Sequence, residues 1–178
     1  MERSPVEAIS TPGTGTAFVA AAGTVGSPTW RAFSNPPVHA GLFEDRSLLQ
    51  AEIPGANGVG DALAVATLFA ALVDPDEPLL MRATVDRMRA PVTDGLDHVL
   101  VGLPTRFGAL FMTASPILPM LGPESFGHDG FGGAIGFADP VTGVGFAQLV
   151  VRPQLGTQPF PRTTRVVEAV RAAIMRGA

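Results

Sequence analysis

The 178-residue chain contains no cysteine and no tyrosine, and its twelve basic residues other than histidine are all arginine, so lysine is absent too. Each absence removes a class of chemistry. Without cysteine there is no disulfide, no thiolate nucleophile and no cysteine-based zinc site; without lysine there is no Schiff base and no phosphate-loop lysine; without tyrosine there is no phenolic base. Arginine stays protonated at any working pH, so among the basic side chains only histidine can accept a proton. Catalytic chemistry from these residues is left to Ser, Thr, Asp, Glu and the three histidines. The charged fraction is low as well, 16%, against roughly 25% in an average soluble domain.

What is present is apolar and rich in turns. Hydrophobic residues make up 46%, enough for a core, and 21 glycines and 17 prolines are spread without a repeat. The length fits about one domain. Net charge is −4 and the arginines are scattered, so no basic stripe suggests a nucleic-acid partner. The longest uncharged apolar run, Phe107 to Pro123, is interrupted by Pro116 and Pro119 and is too short and broken to span a bilayer. The segment before the apolar stretch Ala17–Val25 carries Glu2, Arg3 and Glu7, an acidic start unlike a signal peptide. The expected location is the cytoplasm.

Residues 1–30 read as a poorly committed lead-in, and residues 31–178 as the domain proper. Asp61 is a good N-cap for a helix carrying Ala62, Val65/Ala66, Phe69 and Leu72/Val73 at helical spacing, which Asp74-Pro75 ends. Leu63 and Leu68 on its other face predict burial on most sides. A second helix is predicted from Pro78 to Arg89. Leu96–Leu103 and Arg106–Thr113 read as strands separated by Pro104-Thr105, and Ala114–Gly122 as a proline-punctuated loop. Gly133–Asp139 and Val144–Arg152 read as a strand pair joined through Asp139-Pro140-Val141-Thr142-Gly143. Thr163 or Thr164 caps a last helix with Val166/Val167, Val170 and Ala173/Ile174 inward and Arg165, Arg171 and Arg176 outward. This order predicts an α+β fold, an antiparallel sheet flanked by helices.

The histidines lack metal-ligand spacing to one another, and no metal or cofactor is expected. His39, after Pro36-Pro37, reads as a surface residue, and His98 as a structural residue within a strand. Asp74-Pro75-Asp76-Glu77 reads as a solvated inter-helix loop. Gly122-Pro123-Glu124-Ser125-Phe126-Gly127 has one residue too many before the serine for a nucleophile elbow and no helix after it, and with no matched acid this argues against a third reading, a self-sufficient Ser125–His128 hydrolase. The run Gly127-His128-Asp129-Gly130-Phe131-Gly132-Gly133 is the distinctive feature: glycines around a histidine, leading into a strand, let backbone approach a ligand or simply make a bulge.

The stretch from His128 through Gly130, Gly132-Gly133 and Gly136-Phe137-Ala138-Asp139-Pro140 resembles the third motif of the serine β-lactamase-like hydrolases, the superfamily of class C β-lactamases, esterases and penicillin-binding proteins. Phe33-Ser34-Asn35-Pro36-Pro37, Ile53-Pro54-Gly55-Ala56-Asn57-Gly58 and Leu103-Pro104-Thr105-Arg106-Phe107-Gly108 are similar to segments around that family's late helices and strands. The resemblance runs from about Arg31 to Arg176 and implies the C-terminal part of a β-lactamase-like, transpeptidase-like fold. It places His128 at the third-motif position, Gly130 as the residue allowing close approach, and the Phe131 backbone N–H as one oxyanion donor.

The family's first motif, Ser-x-x-Lys, and its second, Tyr-x-Asn, have no counterpart in a chain without Lys or Tyr. The resemblance therefore implies part of an esterase for carboxylic ester or amide substrates, truncated or from a split gene, inactive alone and dependent on an N-terminal half as partner. The alternative is a non-catalytic remnant or binding module of the same fold. Sheet edges left without their N-terminal strands also predict self-association.

Overall fold

A computed structural model describes residues 24–34, 44–55, 57–100, 102–130, 132–151 and 159–177. The chain divides into two compact units, Met1–Gly60 with His98–Gly102, and Asp61–Asp97 with Leu103–Ala178. In the smaller unit, helix α1 (Pro28–Phe33) starts where Ser27 accepts the Trp30 N–H. Its buried Thr29 donates to the Val99 carbonyl at 2.7 Å. Helix α2 (Arg46–Gln50) is capped by Asp45, and Asn57 donates to the Leu48 carbonyl at 2.6 Å. His39 lies outside the described residues.

The larger unit is built on a six-stranded sheet, every strand antiparallel to its sequence neighbour: β1 (Pro91–Leu96), β2 (Pro104–Gly108), β3 (Met112–Thr113), β4 (Phe126–Asp129), β5 (Ile135–Asp139) and β6 (Val144–Gln148). Helices α3 (Ala62–Ala71) and α4 (Arg82–Arg89) precede the sheet, and α5 (Pro161–Met175) follows it. The α+β architecture with an antiparallel sheet is the one the sequence predicts.

Both faces are covered, because neighbours on β5 alternate sides. Ala138 packs with Phe126, Val85, the α3 residue Phe69 and the α3 C-cap Leu72, while Ile135 and Phe137 pack with Met112, Leu118, Met120 and Val167 of α5. All five β5 residues are buried. Glycine sets how closely α3 can approach. At Gly136 an added Cβ would lie 2.5 Å from Phe69 Cε2, and at Gly145 it would overlap the backbone of Ala66 and Ala70.

The structure corrects several local readings. Helix α3 has its Asp61 cap, the carboxylate accepting from Ala64 N at 2.7 Å, but it is packed on one side only, with Leu63 and Leu68 exposed. The second helix starts at Arg82, not Pro78, because Asp74 holds the N–H groups of Asp76 and Glu77 and Leu79 N–H donates to the Ala71 carbonyl, tying residues 76–79 into the connection.

Of the predicted strand Leu96–Leu103 only Leu96 is in a strand, the last residue of β1, and the described residues 97–100, 102 and 103 form a loop. Asp97 N–H donates to the Leu103 carbonyl at 2.9 Å and Gly102 adopts φ 82°, so His98 sits in a turn and Pro104 and Thr105 belong to β2. Arg106–Thr113 is split by a tight hairpin in which Gly108 N–H donates to Phe111 O. The proline-punctuated loop contributes Ile117, Leu118, Met120 and Leu121 to the core.

The last helix begins at Pro161 and not at a threonine cap, since proline at the first helical position has no N–H to leave unpaired. Thr163 Oγ1 donates instead to the Gly133 carbonyl at 2.9 Å. Among the described residues no helix is long and apolar enough to cross a membrane.

Candidate active site

Strand β4 carries the candidate site, and its entry is held from both sides of the sheet. From α4, Arg89 pairs with Glu124 at 2.8 Å and with Asp86 at 2.9 Å, its guanidinium 5.9 Å from the centre of the Phe126 ring. From α5, Arg171 donates to the carbonyls of Met120 and Leu121. Arg171 was expected on the solvent face; a guanidinium reaches two loop carbonyls as no aliphatic side chain could.

Ser125 is fully buried. Its Oγ accepts from Gly122 N–H at 2.9 Å and donates to Asp139 Oδ2 at 2.5 Å. The other Asp139 oxygen accepts from Val141 N–H, Thr142 N–H and Thr142 Oγ1. Burial raises the Asp139 pKa, but the donors from Ser125, Thr142 and Val141 together outweigh it and hold the carboxyl below its ordinary value. Ser125 is thus a fastener joining the start of β4 to the β5–β6 turn. Nothing in the sequence signals that pairing, although the turn itself is visible as Asp139-Pro140.

His128 is the exposed residue of β4, paired in register with Gly136. Its ring centre lies 6.3 Å from that of Phe107, inclined at 55°. Nδ1 is 2.5 Å from the Asp129 carbonyl oxygen. A carbonyl can only accept, so Nδ1 donates in this contact and Nε2 is left free to make another.

Gly130 follows at the strand end. It is exposed, its N–H donates to the Ala134 carbonyl at 2.7 Å, and its carbonyl accepts from Gly133 N–H at 3.2 Å. An added Cβ would meet only Ala134, at an ordinary 3.6 Å. Packing therefore does not demand glycine here, whereas Gly132 and Gly133 turn the chain at φ 84° and 98°. Phe131 lies outside the described residues.

Asp129 turns to the α5 side, lining a small cavity with Ile117, Leu118 and Thr163. Its Oδ2 is buried with no hydrogen-bond partner among the described residues. Burial pushes the carboxyl up from 3.8 to about 6, against the opposite pull of His128. Between those values the folded chain holds a proton that the unfolded chain releases, so stability is lost as pH rises through about 6. Asp129→Asn is expected to stabilise the chain by about 2 kcal/mol at pH 7 and by almost nothing at pH 4. Urea unfolding at the two pH values measures the difference, and an equal shift at both would contradict it.

No family profile matches the chain. The esterase/β-lactamase LipL of Mycobacterium tuberculosis (strain ATCC 25618 / H37Rv) is 36% identical over 125 residues, which cover 66% of this chain and 28% of LipL. The crystal structure of a family VIII carboxylesterase superposes with a TM-score of 0.73 at 28% identity, over 79% of this chain and 39% of the esterase. The chain belongs to the serine β-lactamase-like hydrolase superfamily.

Two other solved members of the superfamily agree. EstA from Arthrobacter nitroguajacolicus Rue61a gives a TM-score of 0.65 at 30% identity, over 78% of this chain and 38% of EstA. A penicillin-binding protein homologue from Caulobacter crescentus gives 0.61 at 32% identity, over 72% and 36%. The chain spans well under half the length of each of these relatives. That partial coverage is consistent with a C-terminal portion of the β-lactamase-like fold.

Among the described residues no group of three or more histidine and carboxylate side chains is placed to hold a metal ion. The residues that sequence reasoning missed are those that hold β4 in place: Arg89, Arg171, Asp139 and Thr163.

Proposed function

We propose that this chain supplies the third-motif wall of a serine hydrolase active site acting on a carboxylic ester or amide. The nucleophilic serine and its base come, in this reading, from a segment outside these 178 residues. The observation that carries it is the exposed His128, presented at the end of a pinned strand directly before an open glycine turn. With Nδ1 committed to a carbonyl, Nε2 is available to a substrate oxygen or to the serine hydroxyl late in the reaction. Gly130 keeps the wall clear, and the Phe131 N–H is one oxyanion donor.

Ser125 is not the nucleophile in this proposal, since its hydroxyl is buried and held by Asp139. The chain alone is expected to leave nitrophenyl esters and a chromogenic cephalosporin unhydrolysed above buffer, because no activated nucleophile is available. Co-expression with the N-terminal portion of a relative carrying Ser-x-x-Lys and Tyr-x-Asn should restore ester hydrolysis. Continued silence of a folded two-piece complex favours the non-catalytic binding module, and turnover by the isolated chain that Ser125→Ala abolishes overturns the assignment.

The partner reading has its own support. Leu63 on α3 is 77% exposed, and Val92 and Leu96 on edge strand β1 are 71% and 70% exposed. Apolar surface and an open strand edge favour association. The isolated chain is therefore expected to self-associate in sedimentation experiments and the complemented complex to be monodisperse; a monodisperse monomer with a sharp two-state melt would contradict this.

A further inference from the structure

A cleft of about 190 Å³ opens in the larger unit between the end of α3, the face of α4 and the β5–β6 turn. It lies at the Phe126 end of β4, away from the glycine turn that follows His128. Its floor is closed by Phe126 and Val85, which are buried, and its walls include the half-buried Leu72, Val73 and Leu80. Three prolines, Pro75, Pro78 and Pro140, stand among the lining residues. Their fixed φ angles make the cleft preformed, so a ligand has little ordering cost to meet. The volume corresponds to roughly six liquid waters, the scale of a small aryl or branched alkyl group.

The charged residues at the mouth decide the class of ligand. Asp74 accepts from the N–H groups of Asp76 and Glu77 at 2.8 and 3.0 Å. Asp86 is paired with Arg89, and Arg89 with Glu124 as well. Arg82 alone among the charged lining residues has no hydrogen bond or ion pair within the described structure, and its guanidinium is exposed. It is also the first residue of α4, whose N-terminus has no capping side chain, so the helix dipole adds positive potential there. Arg82 is therefore the guanidinium of the cleft with its donors free, above an apolar floor and beside an Asp74 carboxylate held by backbone N–H groups.

We infer that this cleft binds a small apolar monocarboxylate, with the aryl or alkyl group against Leu72, Leu80 and Val85 and the carboxylate on Arg82. The inference stands apart from the hydrolase reading, since none of its residues is His128, Gly130 or Phe131.

The test uses the full chain and phenylacetate as probe, with the uncharged phenylacetamide and with acetate as controls, followed by ligand-observed NMR and calorimetry. Phenylacetate should bind with a dissociation constant on the order of 1 mM and about fivefold more tightly than phenylacetamide, with acetate weaker still. Arg82→Gln should erase the difference between phenylacetate and phenylacetamide while leaving the circular dichroism spectrum unchanged, and Arg82→Lys should restore part of it. No binding of phenylacetate up to about 10 mM, equal binding of the amide, or an Arg82→Gln variant with full selectivity would each overturn the inference.

Discussion

Replacing Gly145 by alanine is expected to destabilise the larger unit by about 3 kcal/mol or more, the upper end of what overpacking costs. Gly145 sits on β6 beneath α3, and the Cβ it lacks would overlap the Ala66 carbonyl oxygen and the Ala70 nitrogen. Both obstacles are helix backbone, which has no rotamer to yield, so the whole helix must lift. Lifting it exposes Phe69, the α3 residue packed against Phe126, Ala138 and Phe111. A loss of that size is a large share of the roughly 5–15 kcal/mol that separates a folded domain from its unfolded chain.

The control is Gly58→Ala, an exposed position where an added Cβ meets nothing within 4 Å. Urea denaturation followed by circular dichroism should show a clear fall in midpoint for Gly145→Ala and almost none for Gly58→Ala. Equal midpoints would mean that α3 is not seated on β6 as the structure has it.

That glycine also illustrates what could be read in advance. The α3 helix was legible because Asp61 is a cap and the apolar spacing is helical, and β5 and β6 because apolar runs flank Asp139-Pro140. The covered face of α3 was legible too, since the stripe of Ala62, Val65, Ala66, Phe69, Leu72 and Val73 is the half-buried one; that Leu63 and Leu68 stay exposed was not, because the helix is apolar all round and only Gly136 and Gly145 across the sheet show which single side is packed. Local pattern failed most around Leu96–Leu103. The apolar run there looks like a strand, but the Asp97–Leu103 hydrogen bond and the positive φ of Gly102 fold it into a loop.

At the candidate site the histidine and glycines stood out, because such a cluster is uncommon in a strand. Their support did not. The Ser125–Asp139 bond spans 14 residues and the Arg171–Leu121 bond 50, and no short-range pattern encodes partners at that distance.

In a complemented two-piece enzyme, His128→Ala is expected to lower kcat/KM about 100-fold, near 2.7 kcal/mol, the scale of one positioned proton-transfer or hydrogen-bonding group. His128 is exposed, and among the described residues its polar partner is the Asp129 carbonyl. Removing the imidazole therefore leaves the packing of β4 intact, so the loss should appear in turnover and not in the unfolding midpoint. Asp129→Ala is the matched control. It is adjacent in sequence, but its carboxyl lies on the α5 side beside Leu118 and Thr163 and can act on the site only through the strand. It should cost far less activity while changing stability.

Gly130→Ala separates a third effect. An added methyl meets only Ala134 at van der Waals distance, so the fold should tolerate it within about 0.5 kcal/mol, and any rise in KM reports the wall closing on the substrate. Equal losses for His128→Ala and Asp129→Ala would remove His128 from the site. A His128→Ala enzyme with full kcat/KM would do the same, because the nitrogen left free by the Asp129 carbonyl would then have no part in the reaction.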